Sequence, residues 1–178
     1  MRKLENQELP RLDRPAFKAH PKKPLVLVLD NIRSLNNVGS AFRTADAFLL
    51  EKIYLCGITG KPPHREINKT ALGATETVAW EYRESVSELI RQLAQEGYKI
   101  VLVEQTDSST MLMDFKPHRD DHLALVFGNE VFGVDENLLP EAHYCVEIPQ
   151  YGTKHSLNVA VSIGIVVWTV LEKMRLLE

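Results

Sequence analysis

The stretch Cys145-Val-Glu-Ile-Pro-Gln-Tyr-Gly-Thr-Lys-His-Ser-Leu-Asn-Val-Ala-Val-Ser-Ile-Gly-Ile-Val-Val-Trp168 decides the reading of the chain. An apolar strand runs to Ile148 and is stopped by Pro149. A tight turn through Gly152 follows, and Ser156 is read as the N-cap of a helix that stays apolar for about four turns. The free N–H groups of a first helical turn attract anionic groups. A strand that feeds a polar turn and then a buried helix is also where α/β proteins place their ligands. An ordinary strand–turn–helix packing unit would show the same pattern, so the rest of the chain has to decide.

Working outward, strands alternate with helices. Leu25–Leu29 is a continuous apolar run, the pattern of a strand buried on both faces. A helix is expected over Val38–Leu49, then a strand at Lys52–Cys56 and a long loop over Gly57–Ala74. A short strand at Thr77–Trp80, a helix at Ser85–Gln95 and a strand at Lys99–Glu104 come next. His122–Phe127 reads as a further strand, Glu136–Leu139 as a short helix and His143–Ile148 as the strand that opens the deciding stretch. The alternation predicts an α/β fold, a mainly parallel sheet with helices on both faces.

The chain has 178 residues, 44% of them hydrophobic, enough for one compact domain over residues 25–178. Its net charge of −3 is unevenly spread. Residues 1–24 carry seven Lys/Arg against three acids, a net of +4, and the remainder carries 14 against 21, a net of −7. The first 24 residues therefore read as a basic, irregular arm on an acidic body, able to grip phosphates or simply to stay solvated. Cys56 and Cys145 lie in apolar runs and suit reduced, buried thiols better than a disulfide framework. No secretory signal or membrane span is expected, and the protein reads as soluble and cytoplasmic.

Two further segments carry polar groups, one on a helix and one at a strand end. In Asn37-Val-Gly-Ser-Ala-Phe-Arg43, the small residues Gly39, Ser40 and Ala47 leave space beside the Arg43 guanidinium; the plain alternative is a surface pair with Asp46. In Phe127-Gly-Asn-Glu-Val-Phe-Gly133, Gly128 and Gly133 permit close backbone approach and Glu130 brings a carboxylate to the end of a strand. This is neither a Walker A loop nor a dinucleotide fingerprint, and alone it reads as a βα turn. Asn158, on an apolar helix, needs a partner from protein, water or ligand. His118 and His122 stand four apart beside Pro117 and make a poor helical metal pair, and Met111 and Met113 read as loop anchors or core filler.

Taken in this order, the three segments resemble the SpoU/TrmH family of RNA ribose 2′-O-methyltransferases, within the SPOUT class. The resemblance rests on Asn37 and Arg43 with the run Thr44-Ala45-Asp46-Ala47-Phe48, on Gly128 and Glu130, and on Ile148-Pro149, Gly152 and Ser156-Leu-Asn-Val159. It spans about residues 24–175. Val103-Glu-Gln-Thr106 and Ile148-Pro-Gln150 also look like the branch that methylates a guanosine ribose in the tRNA D-loop. The resemblance implies a SPOUT fold with a C-terminal trefoil knot, which the general rarity of knots would not suggest. It implies S-adenosylmethionine as cofactor, no metal, an RNA partner with tRNA ahead of rRNA, no DNA, and a homodimer. Carried over by position, Gly128, Ile148, Leu157 and Thr106 would contact the cofactor. Arg43 would act on the attacking ribose hydroxyl, and Asn37, Glu130, Ser156 and Asn158 would shape the site. An rRNA methyltransferase, a SPOUT enzyme that methylates a base nitrogen, and a non-catalytic RNA-binding protein remain the alternatives.

Overall fold

The computed structural model describes residues 1–177. Seven parallel strands form one sheet in the order β3-β2-β1-β6-β4-β7-β5. They are β1 (Lys23–Asp30), β2 (Leu50–Cys56), β3 (Trp80–Arg83), β4 (Tyr98–Val103), β5 (Thr110–Met111), β6 (His122–Phe127) and β7 (Tyr144–Glu147). The helices are α1 (Arg14–Ala19), α2 (Leu35–Ala47), α3 (Arg65–Ala71), α4 (Val86–Gln95) and α5 (Val159–Lys173).

Strand periodicity explains the layering. On β1, Leu25, Leu27 and Leu29 point into the core shared with α2, α3 and α5, whereas Val26 and Val28 point into the core shared with α4. Both sets are buried, which is why Leu25–Leu29 reads as an unbroken apolar run. The expected mainly parallel sheet covered by helices on both faces is therefore observed. Ser85 caps α4 by accepting a hydrogen bond from Glu88 N, and Ser34 caps α2 by accepting from Asn37 N.

The structure corrects several local expectations. The arm over residues 1–24 is not irregular throughout: Asp13 caps α1, Phe17 is 5% exposed within the main core, and Arg14 pairs with Glu76. Short polar segments such as this carry too little apolar periodicity to announce themselves. The expected loop over 57–74 contains α3, whose buried residues Ile67 and Ala71 are too few to mark a helix in sequence. The expected strand at Thr77–Trp80 lies further on, at Trp80–Arg83, and follows a 3-10 turn at Ala74–Glu76. Ser156 does not cap α5; Asn158 does, accepting from Ala160 N and Val161 N through Oδ1. The Asn reaches two orphan N–H groups at once, and that satisfies the side chain without any ligand. Met111 and Met113 are 40% and 59% exposed, and Leu112 and Phe115 beside them fill the core instead.

Candidate functional site

The C-terminal ends of β1, β4, β6 and β7 come together, and the loops that leave them are tied by polar contacts. Glu130, in the loop after β6, accepts hydrogen bonds from Arg33 N at 3.1 Å, Ser34 N at 3.2 Å and Asn37 Nδ2 at 3.2 Å. Asn158 Nδ2, at the start of α5, donates in turn to Asn37 Oδ1 at 3.2 Å. One chain of contacts, Glu130–Asn37–Asn158, thus joins segments about 121 residues apart in sequence. Partial burial pushes the Glu130 carboxyl up, but the N–H groups of Arg33, Glu130 itself and Ser34, with the Asn37 amide, outweigh it. The carboxyl is held below its ordinary value, so at neutral pH it is an anion fully engaged with donors and a weak base.

Beside this chain lies an open cavity of about 290 Å³. Gly128, Glu130, Ile148, Ser156 and Leu157 line it, together with Glu104 and Glu147. Three acidic residues and no Lys or Arg line the cavity, with His155 as its sole basic residue. Such a lining suits a cationic ligand that also presents apolar surface to Val103, Ile148 and Leu157.

The site residues read from sequence divide by place. Gly128, Ile148, Leu157, Ser156 and Glu130 meet at the cavity; Asn37 and Asn158 do not line it, Asn37 bonding Glu130 and Asn158 bonding Asn37. Thr106 does not line the cavity; its hydroxyl is buried without a hydrogen-bond partner among the described residues. Gly128 is needed for a reason internal to the protein: a Cβ there would overlap the Gly133 carbonyl and Val134 N. Arg43 lies away from the cavity of its own chain, exposed on α2 in a groove with Lys69 and Thr70. The plain pairing with Asp46 is absent, because Asp46 accepts from the Thr77 hydroxyl and Arg43 has no carboxylate partner among the described residues.

Three residues that sequence reading passed over shape the site. Asn129 Nδ2 donates to Asn31 O at 2.8 Å, and Asn129 Oδ1 accepts from Val131 N and Phe132 N. Asn31 adopts a left-handed φ of 55° and accepts from Ile58 N. Glu104 accepts from Val134 N at 2.9 Å and occupies the space a side chain at Gly133 would need. The signal available in sequence was Asn or Glu placed directly after an apolar strand run, which is also common in plain turns.

The chain is 31% identical over 143 residues to the 23S rRNA (guanosine-2′-O-)-methyltransferase RlmB of Neisseria meningitidis, covering 80% of this chain and 56% of that one. It is 26% identical over 151 residues to a tRNA (guanosine(18)-2′-O)-methyltransferase of Borreliella burgdorferi, covering 85% and 67%. Among solved structures, the TrmH/SpoU tRNA modifying enzyme of A. aeolicus superposes with a TM-score of 0.76 at 25% identity, over 87% of this chain and 76% of that one. An AdoMet-bound rRNA methyltransferase of Sinorhizobium meliloti gives 0.77 at 26% identity, over 91% and 60%. The chain spans little more than half the length of the RlmB relative. The profile of the SpoU rRNA Methylase family matches residues 24–168, and the chain belongs to that family.

Proposed function

We propose that this chain is an S-adenosylmethionine-dependent RNA ribose 2′-O-methyltransferase, with tRNA as its substrate and a guanosine as the target. The observation that carries the reading is the meeting of the second and third sequence segments at one cavity, with the Glu130–Asn37–Asn158 contacts tying the first segment to them. The cavity's carboxylates and apolar walls fit a sulfonium cofactor, held at Gly128, Ile148 and Leu157. When bound, the cofactor supplies an electrophilic methyl group. Relatives named for tRNA and for 23S rRNA both occur, and Gln105 and Gln150 at the cavity, from the segments that look like the tRNA branch, support tRNA.

The ribose hydroxyl becomes a competent nucleophile as its proton passes to bulk water. Arg43 stays protonated in nearly every protein setting and is therefore no base. Its guanidinium stabilises the developing alkoxide and holds the neighbouring phosphate. Glu130, ionised and bound to three donor groups, keeps the loops in place.

Because Arg43 stands outside its own chain's cavity, the reaction is assigned to a homodimer in which one copy brings Arg43 to the cofactor cavity of the other. Val161 and Trp168, on one side of α5, are 50% and 55% exposed, and Trp168 packs edge-on against Phe48 in the Arg43 groove. A second copy covering that face would place the two halves together. The knot belongs to the same proposal: β7 lies outside β4 and β6 while α5 packs on α2, so residues 148–158 cross those strand ends. No described helix is long and apolar enough to cross a membrane; the proposed RNA substrate is the ground for assigning the chain to the cytoplasm.

The test is methyl transfer from labelled cofactor to tRNA and rRNA transcripts, with the label then mapped to ribose or base. Label on a tRNA ribose supports the reading; label on a base, or none, overturns it. Mixing Arg43→Ala with Ile148→Trp, which fills the cavity, should restore activity that neither variant has alone. No restoration would overturn the shared site.

A further inference from the structure

The groove between α2 and α3 has a composition opposite to that of the cofactor cavity. It is about 450 Å³ and is lined by Ser40, Arg43, Thr44, Lys69, Thr70 and Leu72, with no carboxylate. Arg43 and Lys69 are both exposed, and neither has an ion-pair partner among the described residues. Elsewhere Arg14 is held by Glu76, and Lys52 by Glu81 at 2.7 Å. A chain of net charge −3 thus leaves two cations free in one concave place.

The walls of the groove are fixed by short-range packing. Ser40 Oγ donates to Asn36 O at 2.9 Å, and Thr70 Oγ1 donates to the same carbonyl at 3.0 Å. A Cβ at Gly39 would overlap Thr70 Oγ1 and Ile67 O, so α2 and α3 touch there without an intervening side chain. This close approach ties Lys69, on α3, to Arg43, on α2, one turn beyond Gly39. Thr44 also lines the groove and brings a hydroxyl to it. Leading into α3, the segment over 61–69 carries Lys61, Arg65 and Lys69 against the single acid Glu66.

We propose that this groove binds the phosphodiester backbone of the RNA substrate next to the reacting nucleotide, with Lys69 as the principal phosphate contact beside Arg43. The proposal rests on the methyltransferase reading in taking RNA as the polyanion and in placing the reacting nucleotide beside Arg43. Lys69 presents a mobile point charge, while Arg43 presents a planar fork, so the pair spans a phosphate on each side of a ribose. Lys69 neither lines the cofactor cavity nor contributes to the core, so its charge can be reversed without disturbing either.

The experiment measures binding of an unmodified tRNA transcript by fluorescence anisotropy across a salt series, for the full chain and three variants. Lys69→Glu should weaken binding about tenfold at ~0.1 M salt and lower the slope of log affinity against log salt by about 0.7–0.9. Lys69→Arg should bind like the parent. Lys116→Glu makes the same charge change on the loop after β5, at the opposite sheet edge, and should have little effect. Thermal unfolding and calorimetric cofactor affinity should be unchanged in all three. Unaltered RNA binding in Lys69→Glu, or equal weakening in Lys116→Glu, overturns the proposal. If the parent transfers no methyl group while the Lys69 effect holds, the enzyme reading fails and the groove stands.

Discussion

Glu130→Gln separates a residue that holds the site together from one that reacts in it. The carboxylate accepts three hydrogen bonds, two from backbone N–H groups and one from Asn37 Nδ2. The substitution keeps the shape, removes the charge and turns one oxygen into an NH₂ group that faces N–H donors. Hydrogen bonds to a charged group contribute about 1.5–3 kcal/mol each, and a partly exposed acceptor sits at the lower end. One such bond is lost outright and the others are weakened, so we expect a loss of about 2 kcal/mol. For a chain of this length that is a fall in Tm of about 4–8 °C. The pH dependence has a definite sign. The folded carboxyl titrates below its ordinary value of 4.5, so its contribution is present above that pH and disappears as pH falls through the folded value. The difference between parent and variant should therefore be full at pH 7 and shrink below about pH 4. Circular dichroism melts from pH 7 downward would measure it, with single-turnover methylation alongside. An unchanged Tm together with lost methyl transfer would refute the reasoning and assign Glu130 to the chemistry.

Arg43→Ala should lower kcat by about 10²-fold or more in single-turnover methylation with saturating RNA, while cofactor affinity by calorimetry hardly moves. Arg43→Lys should rescue little, because an ammonium does not reproduce the planar fork; near-normal turnover of the Ala variant would remove Arg43 from the mechanism. Asp30 is 3% exposed, and burial, with Asp135 nearby, pushes its carboxyl up to about 6. A raised carboxyl favours the protonated folded state, so the parent loses stability as pH rises from about 4 to 6, and Asp30→Asn should be more stable by roughly 1–2 kcal/mol at pH 7 and equal at pH 3.5. Urea titrations at the two pH values would check this, and a constant difference would contradict it. Deleting residues 1–12 should reduce the salt dependence of RNA binding without lowering Tm, whereas deleting residues 1–20 removes the buried Phe17 and should lower Tm sharply. Equal melting of the two truncations would show that α1 adds nothing to the core.

Periodicity and motif together made much of this protein legible from the chain alone. Unbroken apolar runs such as Leu25–Leu29 and Leu123–Phe127 occur where a strand is covered on both faces, and that local property implied the parallel α/β sheet. The run of Asn37, Arg43, Gly128, Glu130, Ile148, Ser156 and Asn158 pointed to the family because identity and order survive in a linear string. Contacts between distant segments do not. Nothing local marks Asn158, and not Ser156, as the cap, since both are favoured N-cap residues and the choice depends on where the turn enters α5. The role of Gly128 also came from a segment beyond it, the Gly133–Val134 backbone folded back over it. α3 was invisible because a seven-residue helix with two buried side chains has almost no periodic signal, yet its packing on Gly39 places Lys69 beside Arg43. The separation of Arg43 from the cavity is likewise a tertiary fact: position along the chain places a residue in a motif, and only the packing of α2 against its neighbours decides which way its side chain faces.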